Sequence, residues 1–297
     1  MAKKIPNIVK EIKNSPPQEI DYSYQKNISY SQISMFNQCP YKWRLHYKDK
    51  ISQRDTSIYL VFGIAIHEVM QEYLTVFYEQ SKVKANEIDL EAKFQEKFTD
   101  AYKMQYKQNN NLHFSSAEEM REFFEDGVAI LEFFKKRVSQ YFSKRNTYLV
   151  GIELPIINTP NKMLNNILFK GMLDVVLYNE VLDEFTIIDI KTSTRGWHSK
   201  MTKDEHKQFQ LILYKQYFSE LYNIPLEKIN VKFFIVKRKL WEESDWPQSR
   251  VQEFSPASGK IKLGRAKKYV NDFMSHVFDS RGKIKEQVYP CTCGYCE

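Results

Sequence analysis

The chain has 297 residues, of which 42% are hydrophobic and 27% charged, and its formal net charge is +7. That length holds one large domain or two small ones, and the composition is that of a folded chain rather than a disordered one. With only 9 Gly and 10 Pro a loop-rich sandwich is disfavoured, while the modest positive excess is compatible with a polyanionic partner without establishing one.

The N-terminal MAKKIPNIVKEIKN lacks the apolar segment of a signal peptide, and no run of about 18 apolar residues exists to span a membrane. The expectation is a cytoplasmic protein with no membrane partner. Thiols stay reduced there, so the four cysteines read as ligands before disulfides.

Residues 1–26 are polar, basic and broken by Pro16 and Pro17, the pattern of a mobile arm. SYSQISMFNQCPYKWRLHY (29–47) predicts a helix capped by Ser31, with Ile33, Phe36 and Cys39 on roughly one face before Pro40. A second helix is expected from about Gly63, and apolar residues recur at three and four to about residue 147, with a break at KQNNN (107–111). The character then changes. YLVGIELPI, FKGMLDVVLY and EFTIIDIKT read as strands, the last two joined by NEVLD. TKDEHKQFQLILYKQYFSELYN reads as a helix, INVKFFIVKRKLW as a strand and 254–280 as a helix with Ala266, Tyr269, Val270, Phe273 and Val277 in its apolar stripe. The expected organisation is a helical section (27–147), an α/β core (148–253) and a C-terminal helix with a cysteine-bearing tail (254–297), together one compact domain.

Within EFTIIDIKT, Asp189 and Lys191 sit among Ile187, Ile188 and Ile190, where unpaired charge is costly. Residues two apart share a strand face, so Ile187, Asp189 and Lys191 project together. In a hairpin with its loop at 179–184, Tyr178 faces Phe185 and Asp174 faces Asp189. Opposed like charges destabilise a sheet. Two readings follow: a divalent oxygen-loving cation held by the carboxylates, with Lys191 near a phosphate or a water, or a structural salt bridge from Lys191 to either aspartate.

The order of the pieces around these residues resembles the PD-(D/E)XK nuclease superfamily, and more narrowly its RecB-like branch. Gly171-x-x-Asp174, Asp189-x-Lys191 and Gln210-x-x-x-Tyr214 follow one another. Upstream, Gly63-x-x-x-His67 with Tyr73 is similar to the branch's histidine motif, and Ser29-x-Ser31, Phe36, Cys39-Pro40 and Trp43 to its N-terminal motif. Leu173 stands where the family's name has proline, and the second acid is Asp rather than Glu.

The resemblance implies a restriction-endonuclease-like α/β fold, a central mixed sheet flanked by helices, with an N-terminal helical section. It implies Mg²⁺ or Mn²⁺ bound by His67, Asp174, Asp189 and the Ile190 carbonyl, with Glu153 as a further acidic candidate. Asp174, Asp189 and Lys191 would be catalytic, and Gln210 and Tyr214 would line the site and touch DNA. Cys39 with Cys291, Cys293 and Cys296 is similar to the ligand set of the four-cysteine members, which implies a 4Fe–4S cluster. The spacing C-x-C-x-x-C departs from the family's, and Zn²⁺ stays open.

The implied activity is an exonuclease acting on DNA ends or single strands. The alternatives are a structure- or site-specific endonuclease, or a non-catalytic nucleic-acid-binding protein on the same fold. No G-x-x-x-x-G-K-[ST] loop is present, so a helicase, recombination, replication or CRISPR partner would be a separate chain.

Overall fold

The computed structural model describes residues 5–15, 19–51, 56–241, 246–287, 289–291 and 293. Helix α1 (Asn7–Asn14) falls in the stretch expected to be a mobile arm, and there the expectation is corrected. Val9 and Ile12, three apart on one helix face, are buried in the core beside the sheet. The segment is held by this docking, which a short polar sequence does not announce.

Strand β1 (Lys26–Ile28) leads to α2 (Tyr30–Gln38), capped by Ser29 rather than by Ser31. The single helix expected over 29–47 is broken at Cys39. Cys39 ends α2 and caps α3 (Pro40–Trp43), its Sγ accepting from the Lys42 amide. Pro40 has no amide hydrogen to continue the first helix, but it suits the first turn of the next. A π-type turn follows over Arg44–Lys48.

The helical layer comprises α4 (Ile58–Glu79), α5 (Lys82–Asn86), α6 (Leu90–Gln108) and α7 (Ala117–Tyr141), each begun by a Ser or Asp side-chain cap. Ser57 caps α4 well before Gly63. This helix is long and apolar enough to cross a membrane, yet its apolar residues pack in the core under the sheet.

The remaining elements are β2 (Thr147–Asn158), β3 (Ile167–Asn179), β4 (Glu184–Ser193), α8 (Ser199–Lys203), α9 (Glu205–Tyr222), β5 (Ile229–Lys237), β6 (Val251–Phe254) and α10 (Lys260–Val277). The last helix begins later than the 254 expected, because a short edge strand, β6, comes first. The sheet is mixed, in the order β1-β3-β4-β5-β6, with β2 along the other edge of β3. Strands β3 and β4 are antiparallel and β4 and β5 parallel. One face is covered by α4, α6 and α7, and the other by α1, α2, α9 and α10.

The register of β3 on β4 runs from Asn179↔Glu184 through Tyr178↔Phe185 to Val175↔Ile188, and there the pairing stops. On the same edge of β3, β1 pairs only with residues 167–169. Residues 170–174 are thus open on that edge, while β2 pairs with the other. This opening holds Asp174. Beside it, Gly171 admits the Tyr214 ring of α9 so closely that a Cβ there would lie 2.6 Å from Tyr214 Cε1.

Candidate active site

Past Ile188, strand β4 keeps its pairing with β5 as far as Ser193 but has left β3. The Ile190 amide, freed from the ladder, donates to Asp174 Oδ2 at 2.7 Å. A carboxylate thereby takes the place of a strand carbonyl. Asp189 is 3% exposed, on the strand face shared with Phe185 and Ile187, and its Oδ2 lies 2.8 Å from Lys191 Nζ. That contact is a charge pair without hydrogen-bond alignment, and Oδ2 is left buried with no donor.

Helix α4 supplies the opposite wall. His67 Nδ1 lies 3.5 Å from Asp174 Oδ2. One helical turn later, Gln71, 6% exposed, donates from Nε2 to Glu153 Oε1 at 2.6 Å and reaches the Asp174 carbonyl at 3.4 Å. Glu153 sits on β2 with φ of 47°, a left-handed conformation that costs energy for a residue with a side chain. It stands just beyond a register shift between Leu149 and Gly151. Ligand atoms of His67, Glu153 and Asp174 all lie within 4.8 Å of one another.

The electrostatics follow from burial and crowding. Burial first, then repulsion from Asp189, pushes the Asp174 carboxyl up to about 8; Lys191 and the Ile190 amide oppose this, and Glu153 adds to it. Burial holds His67 down to about 4 against the pull of Asp189. Burial alone would lower Lys191, but the charge of the adjacent Asp189, with Asp174 and Tyr214 behind it, raises it above the ordinary lysine range. Burial is also the main reason that the Tyr214 hydroxyl is pushed up to about 12. Without a bound cation at neutral pH, the site therefore holds a neutral imidazole, a protonated Asp174 and a charged lysine.

His67 and Glu153 meet at Asp174, the Ile190 amide bonds to Asp174, and the Asp189–Lys191 pair lies beside them on β4. Gln210 lies in a hollow beside Lys191 and donates to the Tyr214 hydroxyl at 3.1 Å; Tyr214 itself is 6% exposed. His67 and Glu153 face a second cavity of about 530 Å³, bounded also by Tyr59, Leu60, Gly63 and Thr192. Gln71 and Thr192 escaped the sequence reading. The signal for Gln71 was its place four residues after His67 and eight after Gly63, on one helix face.

The thiols of Cys39, Cys291 and Cys293 also converge, with Sγ–Sγ gaps of 3.8 Å from Cys39 to Cys291 and 3.5 Å from Cys291 to Cys293. Both gaps are too long for a disulfide. Cys296 lies outside the described residues.

A family model described as the PD-(D/E)XK nuclease superfamily matches residues 27–297. Among solved structures, the chain is similar to a candidate exonuclease from Eubacterium rectale. The identity is 13% and the TM-score 0.54, over 95% of this chain and 92% of the other. Among curated proteins, none matches.

A pH dependence follows. Asp174 keeps its proton to about pH 8 when folded but loses it near 3.8 when unfolded, so stability falls as pH rises through that window. His67 loses its proton near 4 when folded and near 6.5 when unfolded, so its contribution rises with pH between those values. The two oppose each other below 6.5, and above it Asp174 acts alone. Thermal melting in EDTA is expected to show falling stability from pH 6.5 to 8, with that slope lost in Asp174→Asn. An equal slope in both proteins would contradict the assignment.

Proposed function

The chain belongs to the PD-(D/E)XK nuclease superfamily, and on that footing we propose that it is a metal-dependent deoxyribonuclease of the RecB-like type, an exonuclease acting on DNA ends or single strands. The observation that carries this reading is the meeting of His67, Glu153 and Asp174 beside the buried Asp189–Lys191 pair. The intact acids and lysine favour an enzyme over a binding protein on the same fold.

The donor set fits a divalent ion. Carboxylates that repel each other, one buried carboxylate oxygen without a donor and one neutral imidazole form a pocket for a cation. His67, Asp174, Asp189 and the Ile190 carbonyl would hold Mg²⁺ or Mn²⁺, with Glu153 as a further carboxylate. When bound, such an ion stabilises negative charge on the reacting phosphate.

Lys191, paired with Asp189, would orient or activate the attacking water. It holds the water and offsets charge on the phosphate. The water oxygen bonds to phosphorus as the bond to the 3′ oxygen breaks; one water proton is given up to solvent and the 3′ oxygen takes one from solvent, leaving a 5′-phosphate and a 3′-hydroxyl. Gln210 faces the substrate, and the more deeply buried Tyr214 fixes its amide.

The three convergent thiols, with Cys296, are assigned to a structural metal or cluster tying α3 to the C-terminal segment. The resemblance points to 4Fe–4S. The observed gaps match the edge of a tetrahedron around one Zn²⁺, roughly 3.8 Å for bonds of about 2.3 Å, so zinc stays open. A cytoplasmic setting and a separately encoded helicase, recombination, replication or CRISPR partner accord with this chemistry.

With Mg²⁺ or Mn²⁺, the wild type is expected to degrade end-labelled linear DNA, and Lys191→Ala to be slower by about 100-fold or more. Equal rates, or no metal-dependent cleavage, would sink the nuclease reading, and cutting of covalently closed circles would replace exonuclease with endonuclease. After purification without oxygen, iron with sulfide is expected for a cluster and about one zinc per chain for the alternative. Protein carrying neither would remove the structural metal.

A further inference from the structure

Lys191 and Thr192, successive residues of β4, face opposite sides of the strand. Thr192 borders the cavity that His67 and Glu153 face, with its Oγ1 3.4 Å from where a Cβ on Gly63 would lie. Both residues also rim a second hollow of about 400 Å³ between α2 and α9, lined by Gln38, Trp197, Lys207 and Gln210. A strand with its phosphate at Lys191 would place a neighbouring nucleotide over this hollow.

Trp197 is built to present its ring there. Its amide donates to Gln252 Oε1 at 2.7 Å, and its carbonyl accepts from Gln252 Nε2 at 2.9 Å. The turn before it is closed by Ser193 Oγ, which contacts both the amide and the carbonyl of Gly196, a residue with φ of 89°. A side chain on Gly196 would strike Gln252 at 2.7 Å. Phe233 and Phe254 back the indole, with ring centroids 4.8 and 6.3 Å away, and Lys207 Nζ lies 5.9 Å from its centre. The ring is half-buried and has Lys207 beside it, and Lys191 lines the same hollow. The acid on this rim, Asp204, is engaged in capping α9.

We infer that this hollow is a base-binding subsite in which Trp197 stacks an unpaired base next to the scissile phosphate and Lys207 contacts the adjoining phosphate. The proposal rests on the nuclease reading and narrows its substrate to single-stranded DNA. A paired base cannot enter without leaving its partner, whereas stacking on an indole accepts any unpaired base.

The test uses labelled oligo(dT) and a duplex of equal length, with Ca²⁺ in place of the catalytic ion and anisotropy as the readout. Trp197→Leu keeps an apolar side chain against Phe233 and is expected to weaken oligo(dT) binding about tenfold, with Trp197→Phe recovering most of it. Duplex binding should stay within about twofold. In cleavage assays the loss should fall on KM rather than kcat. Lys207→Ala, at an exposed position, is expected to weaken oligo(dT) binding several-fold and serves if Trp197→Leu fails to fold. Folded Trp197→Leu with unchanged oligo(dT) binding, or with equal losses on single strand and duplex, would overturn the subsite. Trp197-dependent binding by a wild type that cleaves nothing would support the subsite and reject the nuclease reading; cleavage insensitive to Trp197 would do the reverse.

Discussion

The hydrogen bond from the Ile190 amide to Asp174 Oδ2 sets the architecture of the site. Strands β3 and β4 pair as far as Val175↔Ile188 and then part. A buried amide released from a ladder must find another acceptor, or its desolvation is uncompensated. A side-chain carboxylate meets that need and fixes Asp174 in the opening. Asp189 and Lys191 lie on the same short stretch of β4, so the bond that ends the sheet also gathers the charged groups. Helix α4 crosses the opening and adds His67 and Gln71.

This arrangement trades stability for readiness. Asp174 and Asp189 repel each other in a poorly solvated place, and in the absence of a cation the conflict is relieved by a proton on Asp174. Lys191 balances Asp189 but leaves its Oδ2 without a donor. The left-handed backbone of Glu153 and its bond to Gln71 bring a further carboxylate towards the same spot. The fold thus gathers these acidic and imidazole groups without an ion to organise them.

Much of this was legible in the sequence. Constant hairpin pairing placed Tyr178 against Phe185, as found, but the ladder stops at Val175↔Ile188, short of the expected Asp174–Asp189 pair; alternation put Asp189 and Lys191 on one face. The spacing of Gly63 and His67 is resolved as the close approach of α4 to Thr192 and to Asp174. The salt bridge and the candidate ligand cluster, first read as alternatives, occupy different atoms: Lys191 pairs with Asp189 while His67 and Glu153 meet at Asp174. What escaped notice depends on tertiary partners. Helix α1 carries only two buried residues, β1 and β6 are three and four residues long, and Gln71 acts through a residue distant in sequence. The orientation of Trp197 is set by Gln252, 55 residues away.

The central claim is that the opened strand pair and α4 form a cation site, and titration with Mn²⁺ followed by electron paramagnetic resonance tests it most directly. Asparagine at position 174 still offers an oxygen to the Ile190 amide, so Asp174→Asn removes the charge while keeping the bond that shapes the site. The account predicts saturable binding near one ion per chain in the wild type, with no bound ion at the same concentration in Asp174→Asn or Asp189→Asn. Unchanged stoichiometry and affinity in both variants would contradict it.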